Sequence, residues 1–69
     1  MRTFAEILRT ERKARKLSQR KLAALAGVAY QTVVGWELGL FEPKLSNAAA
    51  ITDVFGLTID ELIDRRIGG

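Results

Sequence analysis

The sequence predicts an all-α fold of five short helices. Apolar residues recur at spacings of three and four residues, and no stretch alternates apolar and polar residues as a strand would. Gly27 and Gly56 each follow an apolar stretch, where a left-handed residue ends a helix. Ser18 and Thr58 each precede one and are good N-caps. The predicted helices run over residues 3–16, 19–26, 30–38, 45–55 and 59–66 of a single domain, 1–69.

Helices 1 and 2 are defined by their apolar faces. Phe4, Ile7 and Leu8 form a stripe at helical spacing, and Arg12 lies one turn further on, on or beside the inward side. A charge at such a position needs a partner. The residues of helix 2 predicted to face inward are Leu22, Leu25 and Ala26.

Helix 3 has two distinct sides at 100° per residue. One side carries Val33, Trp36 and Glu37. The other carries Gln31, Val34, Gly35 and Leu38, with Tyr30 at its edge. Helix 4 is rich in alanine, and the Thr58-x-x-Glu61 capping box opens helix 5.

The composition lacks the residues most often used in catalysis and metal binding. The chain contains neither histidine nor cysteine, and it has no nucleophile elbow or phosphate loop. We therefore expect no enzyme activity, no cofactor and no metal, and the sequence indicates no small-molecule ligand. No apolar run approaches the roughly 20 residues that span a bilayer, so we expect no membrane partner. The lack of cysteine fits a cytoplasmic protein.

Basic residues are concentrated in the first half of the chain. Residues 1–36 carry eight Lys/Arg against two Glu (net +6), whereas residues 37–69 carry three Lys/Arg against six Asp/Glu (net −3). Such asymmetry is typical of proteins that bind a polyanion. A solvated first helix would explain the charges about equally well.

The stretch Gln19–Trp36 predicts two short helices joined by a tight turn at Gly27. Ala23 is small and lies where two crossing helices approach closely. This is the pattern of a helix-turn-helix, which lays its second helix in the major groove of DNA.

The whole pattern resembles the phage-repressor/Cro-type domain, also called the XRE-type helix-turn-helix. The resemblance runs from about Leu8 to Ile63, and its residues are Arg12, Leu17-Ser18-Gln19, Lys21-Leu22-Ala23, Ala26-Gly27-Val28, Gln31-Thr32-Val33, Trp36-Glu37, Gly39, Pro43, Phe55-Gly56-Leu57 and Ile59-Asp60-Glu61-Leu62. It implies a compact, five-helix, lambda-repressor-like fold. It also implies a double-stranded DNA operator as partner, a homodimer on a near-palindromic site, and a buried ion pair between Arg12 and Glu37.

The resemblance implies a set of DNA contacts. Gln19 would contact the phosphate backbone, while Tyr30 and Gln31 would meet base edges, where glutamine can pair with adenine. Val34 could meet a thymine methyl group, and Gly35 offers no side chain. The expected DNA-contact residues are Ser18, Gln19, Arg20, Tyr30, Gln31, Thr32, Val34, Gly35 and Lys44.

The sequence departs from the family in two places. Ala29 replaces the usual Ser/Thr N-cap of helix 3, and Leu38, Leu40 and Phe41 replace polar or basic residues. Those three apolar residues either fold back onto helix 4 or form a patch for another protein. The expected dimer or partner contacts are Leu57, Ile63, Ile67, Leu40 and Phe41.

We therefore expect a cytoplasmic, sequence-specific DNA-binding regulator, a repressor that acts as a homodimer. The alternative is a protein-interaction module on the same fold, resembling an antitoxin or antirepressor, in which DNA reading is weakened.

Overall fold

The computed structural model describes residues 3–63, and within that range the chain folds into five α-helices without a β-strand. They are α1 Phe4–Ala14, α2 Gln19–Ala26, α3 Tyr30–Glu37, α4 Leu45–Phe55 and α5 Ile59–Ile63. The predicted all-α, five-helix fold is confirmed. The predicted extension of helix 5 to residue 66 lies outside the described residues. None of the described helices is long and apolar enough to cross a bilayer.

Helix α1 ends two residues earlier than predicted. Arg15 is its C-cap, and Lys16 adopts a left-handed conformation with φ of 56°. The N–H of Leu17 then returns to the carbonyl of Arg12, at 3.1 Å. This is a helix-ending turn that usually employs glycine, and the lysine gives no sequence signal for it.

The core lies where α3 packs against α1 and α2. Trp36 of α3 is 2% exposed, and the ring of Phe4 meets it edge-on, with centroids 6.1 Å apart. The other large side chains that are fully buried are Ile7, Leu8, Leu22, Val33, Ile51 and Leu62. The prediction that Leu25 faces inward is wrong, since half of its surface is exposed.

Several helix ends are fixed by side chains that accept backbone N–H groups. Thr58 and Glu61 form the predicted capping box, with bonds of 2.8 and 3.1 Å. Thr3 and Glu6 form a second one at the start of α1. The sequence carries the same Thr-x-x-Glu signal there.

Arg15 secures the end of α4. Its Nη2 donates to the carbonyl of Phe55 at 2.6 Å, and its guanidinium lies 4.6 Å from the centroid of the Phe55 ring. A cation at a helix C-terminus also interacts favourably with the helix dipole. Arg15 therefore joins α1 to α4 and does not simply add to a basic surface.

Candidate nucleic-acid interface

The turn between α2 and α3 has the predicted geometry. Ser18 accepts the N–H of Lys21 at 2.9 Å and so caps α2. Gly27 is left-handed, with φ of 72°, and the N–H of Val28 returns to the carbonyl of Ala23 at 3.0 Å. Ala23 is 3% exposed, which agrees with its expected place at a close helix approach.

The first turn of α3 presents the polar side chains expected to read bases. Gln31 is exposed, and its amide makes no hydrogen bond to another described residue. Thr32 and Val34 are partly exposed beside it. Ala29, at the N-cap, makes no side-chain cap, as its sequence predicts. The amide of Gln31 is therefore available to a ligand that approaches the outer side of α3.

Arg20 and Tyr30 form a stacked pair between the starts of α2 and α3. The guanidinium carbon of Arg20 lies 4.1 Å from the centroid of the Tyr30 ring. Tyr30 also packs against the core and is only partly exposed. A stacked arginine keeps its N–H donors at the edge of its plane, so Tyr30 orients donors suited to a phosphate.

Glu37, at the end of α3, is the centre of a hydrogen-bond cluster. Its carboxylate is 3% exposed and accepts Nε of Arg12 at 2.6 Å and Nη2 at 2.9 Å. Nη1 of Arg12 donates to the carbonyl of Leu17 at 2.9 Å, and Arg9 donates to the backbone carbonyl of Glu37. The structure thus contains the ion pair that the family resemblance implies, in bidentate geometry.

The cluster has an electrostatic consequence for Arg12. The hydrogen bond to Glu37 raises the pKa of Arg12 above its ordinary value, and this outweighs the opposing effect of burial. The bonds to Glu37 therefore favour the charged form of Arg12. The pair ties α1 to the C-terminal end of α3 and fixes how α3 projects from the domain.

The side chain of Gln19 is directed into this cluster. Its Nε2 donates to Oε1 of Glu37 at 3.1 Å, so the amide donor expected to meet a phosphate is already engaged. The backbone N–H groups at the start of α2 remain suited to a phosphate. Gln19 connects the starting end of α2 to the end of α3.

Gly35 lies on the outer side of α3, as expected, but the structure shows that it is covered and is not itself open to a ligand. Gly35 is buried, and the ring of Phe41 covers it. A Cβ added to Gly35 would lie 2.6 and 2.7 Å from Cε2 and Cε1 of that ring. Phe41 also lines, with Phe4 and Arg9, a cleft between α1 and the end of α3.

The structure treats the three apolar residues of the loop differently: Phe41 turns inward, whereas Leu38 and Leu40 remain exposed, as the patch alternative expects. Phe41 folds back, but onto α3 rather than onto helix 4, and 44% of its surface stays exposed. Leu38 and Leu40 are 67% and 74% exposed. Nothing in the local pattern signals which of the three apolar residues would turn inward.

The remaining predicted residues fall into two groups. Lys44 is exposed at the N-cap of α4, and Leu57 is partly buried against the core. The side chain of Ile63 and the whole of Ile67 lie outside the described residues. Residues 3–63 hold no group of three acidic side chains placed to bind a metal ion.

The structure also changes how the basic residues are interpreted. Arg9, Arg12 and Arg15 each bond to a carbonyl or carboxylate of the protein itself. The exposed cations that flank the turn are Arg20 and Lys21. Arg12 is neutralised by Glu37, which belongs to the second half, so the net charge of the first half overstates by that one pair the positive charge that a polyanion would meet.

Comparison with known proteins agrees with this geometry. A helix-turn-helix family model matches residues 8–62. The chain belongs to the XRE-type helix-turn-helix family. This is a family of helix-turn-helix transcription regulators.

One curated relative is the HTH-type transcriptional regulator AnsR of Bacillus subtilis (strain 168), 39% identical over 54 residues. The match covers 78% of this chain and 47% of AnsR, so the chain spans about half the length of that relative. Its name describes AnsR as a whole, and the similarity reaches only the matched half.

Solved structures confirm the lambda-repressor-like fold. The P22 c2 repressor, crystallised with synthetic operator 9T, is similar with a TM-score of 0.87 and 27% identity over 91% of this chain and 96% of that chain. Hydroxypropylphosphonic acid epoxidase from S. wedmorenis is similar with a TM-score of 0.78 and 36% identity. That match covers 87% of this chain but 32% of the epoxidase, so most of the enzyme has no counterpart here.

Proposed function

We propose that this chain is a sequence-specific reader of double-stranded DNA that represses transcription as a homodimer on a near-palindromic operator. The observation that carries the proposal is the exposed first turn of α3. Gln31 is exposed there, with no hydrogen-bond partner for its amide within residues 3–63, and Arg20 is stacked on the ring of the neighbouring Tyr30. Its ligand would be chromosomal DNA, so it would act in the cytoplasm.

The chemistry of the exposed groups separates base contacts from phosphate contacts. Gln31 can form two hydrogen bonds with the N6 and N7 of adenine, which specifies a base pair. Arg20 and Lys21 carry charges suited to phosphates, which set position without specifying sequence. Ser18 caps α2 by accepting the N–H of Lys21, which leaves the N–H groups of Gln19 and Arg20 at the start of the helix to face a phosphate.

A homodimer would place two copies of α3 in successive major grooves, about 34 Å apart. The operator complex of the P22 c2 repressor supports DNA as the ligand of this fold. Of the residues expected at the dimer contact, Leu57 is partly exposed at the α4–α5 connection.

A random-site selection at two salt concentrations, followed by footprinting, tests the proposal. We expect one enriched half-site motif repeated about one helical turn away, with an affinity that falls as salt rises. Arg20→Ala and Lys21→Ala should each lower the salt slope by about 1. No enrichment, or binding that ignores salt, would contradict the proposal.

Gln31→Ala tests the base-reading role. It should cost about 1–3 kcal/mol on the selected operator and relax specificity at one base pair. Thr10→Ala is the matched control, because Thr10 is exposed on α1 and outside the expected interface. An equal loss in both variants would contradict the assignment of Gln31.

A second candidate is the protein-interaction module, which the exposed Leu38, Leu40 and Leu45 favour. Under this candidate, Leu40→Ser would abolish binding of a protein partner and leave DNA affinity unchanged. Failure of the DNA selection together with a stable complex that Leu40→Ser breaks would support this candidate over the first.

A further inference from the structure

The outer side of α3 contains a position that has no side chain of its own. Gly35 lies about 200° around the helix from the core residue Val33, so it is on the side away from the core. Gly35 is nevertheless buried. Since the core cannot cover that side, the burial comes from Phe41, whose ring stands where a Cβ of residue 35 would project.

The turn that ends α3 places Phe41 over Gly35. Gly39 is left-handed, with φ of 74°, and its N–H returns to the carbonyl of Trp36 at 3.1 Å. The N–H of Leu40 bonds to the carbonyl of Gly35 at 3.0 Å. This helix-ending turn reverses the chain and holds it against α3, so the next residue, Phe41, lies over Gly35.

The ring therefore belongs to the outer surface of α3, although it comes from the loop. Gln31 and Gly35 are four residues apart and lie on the same side of the helix. Because its ring covers Gly35, Phe41 lies about one helical turn from position 31, and 44% of its surface is exposed. An aromatic ring has no hydrogen-bonding group for a base edge, but it makes favourable apolar contact with the methyl group of thymine.

We infer that Phe41 is a specificity-determining residue of the DNA interface, which reads thymine through its C5-methyl group in place of a side chain at position 35. The inference rests on the proposed function. Gln31 would supply the polar part of the recognition and Phe41 the apolar part. An aromatic residue in the loop would then restore the readout that Gly35 removes from the helix.

The test replaces single thymines of the selected operator with deoxyuridine, which pairs identically but lacks the methyl group. For the wild-type chain, one thymine in each half-site should be sensitive. Loss of one buried methyl group corresponds to about 0.8 kcal/mol, which is about a fourfold weaker Kd. The same replacement should change the Kd of Phe41→Ala by less than about 1.5-fold.

Two further variants make the result specific. Gly35→Ala should also lose sensitivity at that thymine, because the new Cβ displaces the Phe41 ring. Leu40→Ala should keep it, since Leu40 is a neighbouring loop residue with a side chain 74% exposed. Thermal melting shows whether each variant is folded. If Phe41→Ala does not fold, the loss of sensitivity to deoxyuridine is tested with Gly35→Ala instead.

Three results would overturn the inference. In the first, the wild-type chain binds all deoxyuridine operators equally well. In the second, Phe41→Ala keeps the full fourfold sensitivity. In the third, Val34→Ala and not Phe41→Ala removes it, which would assign the methyl contact to Val34. Each result leaves DNA binding intact and so differs from failure of the proposed function, in which no operator is selected.

Discussion

Replacing Glu37 with glutamine should destabilise the fold severely. Its carboxylate accepts two hydrogen bonds from Arg12 and one from Gln19, and it is 3% exposed. A neutral amide has one oxygen for these donors, and its own N–H₂ would face another donor. Arg12, whose side chain is 12% exposed, would then lack a counter-charge.

The expected loss is about 3 kcal/mol, the lower end for a broken buried pair, because the amide oxygen keeps one hydrogen bond. A domain of this size has about 3–10 kcal/mol of stability in total. The loss corresponds to a fall in Tm of about 12–24 °C. Urea unfolding and thermal melting, both followed by circular dichroism, measure it.

Glu11→Gln is the matched control. Glu11 pairs with Arg15 one turn away on α1, and the two side chains are 24% and 32% exposed. Solvent screens such a pair, so its loss should cost no more than about 0.5 kcal/mol. The two substitutions are chemically identical and differ in the burial of the carboxylate.

A double variant separates lost charge pairing from lost packing. Arg12→Met with Glu37→Met removes both charges and should melt above Glu37→Gln alone, since neither charge is left buried. The reasoning fails if Glu37→Gln costs less than about 1 kcal/mol. It also fails if the double variant is less stable than the single one.

Three further predictions concern helix ends. Ala29→Ser should stabilise the fold by about 1 kcal/mol in urea unfolding, because α3 has no side-chain N-cap; an unchanged midpoint would contradict this. Lys16→Gly should stabilise it by about 0.5–1 kcal/mol by relieving a left-handed lysine, whereas Lys13→Gly, inside α1, should cost about 1 kcal/mol. The backbone N–H of Thr3 and then its hydroxyl lower the pKa of Glu6, so the contribution of this carboxylate to stability is present above the unfolded-state pKa and lost as the pH falls through the folded one. Thr3→Ala keeps the backbone bond and loses the hydroxyl bond, so in an NMR titration it should raise that pKa only part of the way towards its ordinary value; an unchanged pKa would refute the hydroxyl's share.

Local rules predicted much of the fold. The starts of α2 and α5 were predictable because Ser18 and Thr58 each accept a backbone N–H three residues further on. The ends of α2 and α4 were predictable because glycine adopts the left-handed conformation of Gly27 and Gly56 easily. These signals depend on neighbouring residues and can be found in a single sequence. Arg12 and Glu37 were also predictable, since each is a charge on the inward side of its helix.

The parts that sequence reasoning missed depend on packing between distant residues. The amide of Gln19 bonds to Glu37, 18 residues away, and Arg15 bonds to Phe55, 40 residues away. Nothing in the residues next to Gln19 or Arg15 in the sequence indicates that either side chain has such a partner. The place of Phe41 follows from the turn at Gly39 and from the space over Gly35, and helical periodicity describes neither of them.

The contact between Gly35 and Phe41 also restricts how this surface can evolve. Any side chain introduced at residue 35 occupies the space of the ring, so the mutation alters the loop as well as the helix. A smaller residue at 41 alone leaves the helix bare at that point. Positions 35 and 41 should therefore covary among descendants of this chain. Glycine at 35 should occur with an aromatic residue at 41, and a larger side chain at 35 should occur with a small residue at 41.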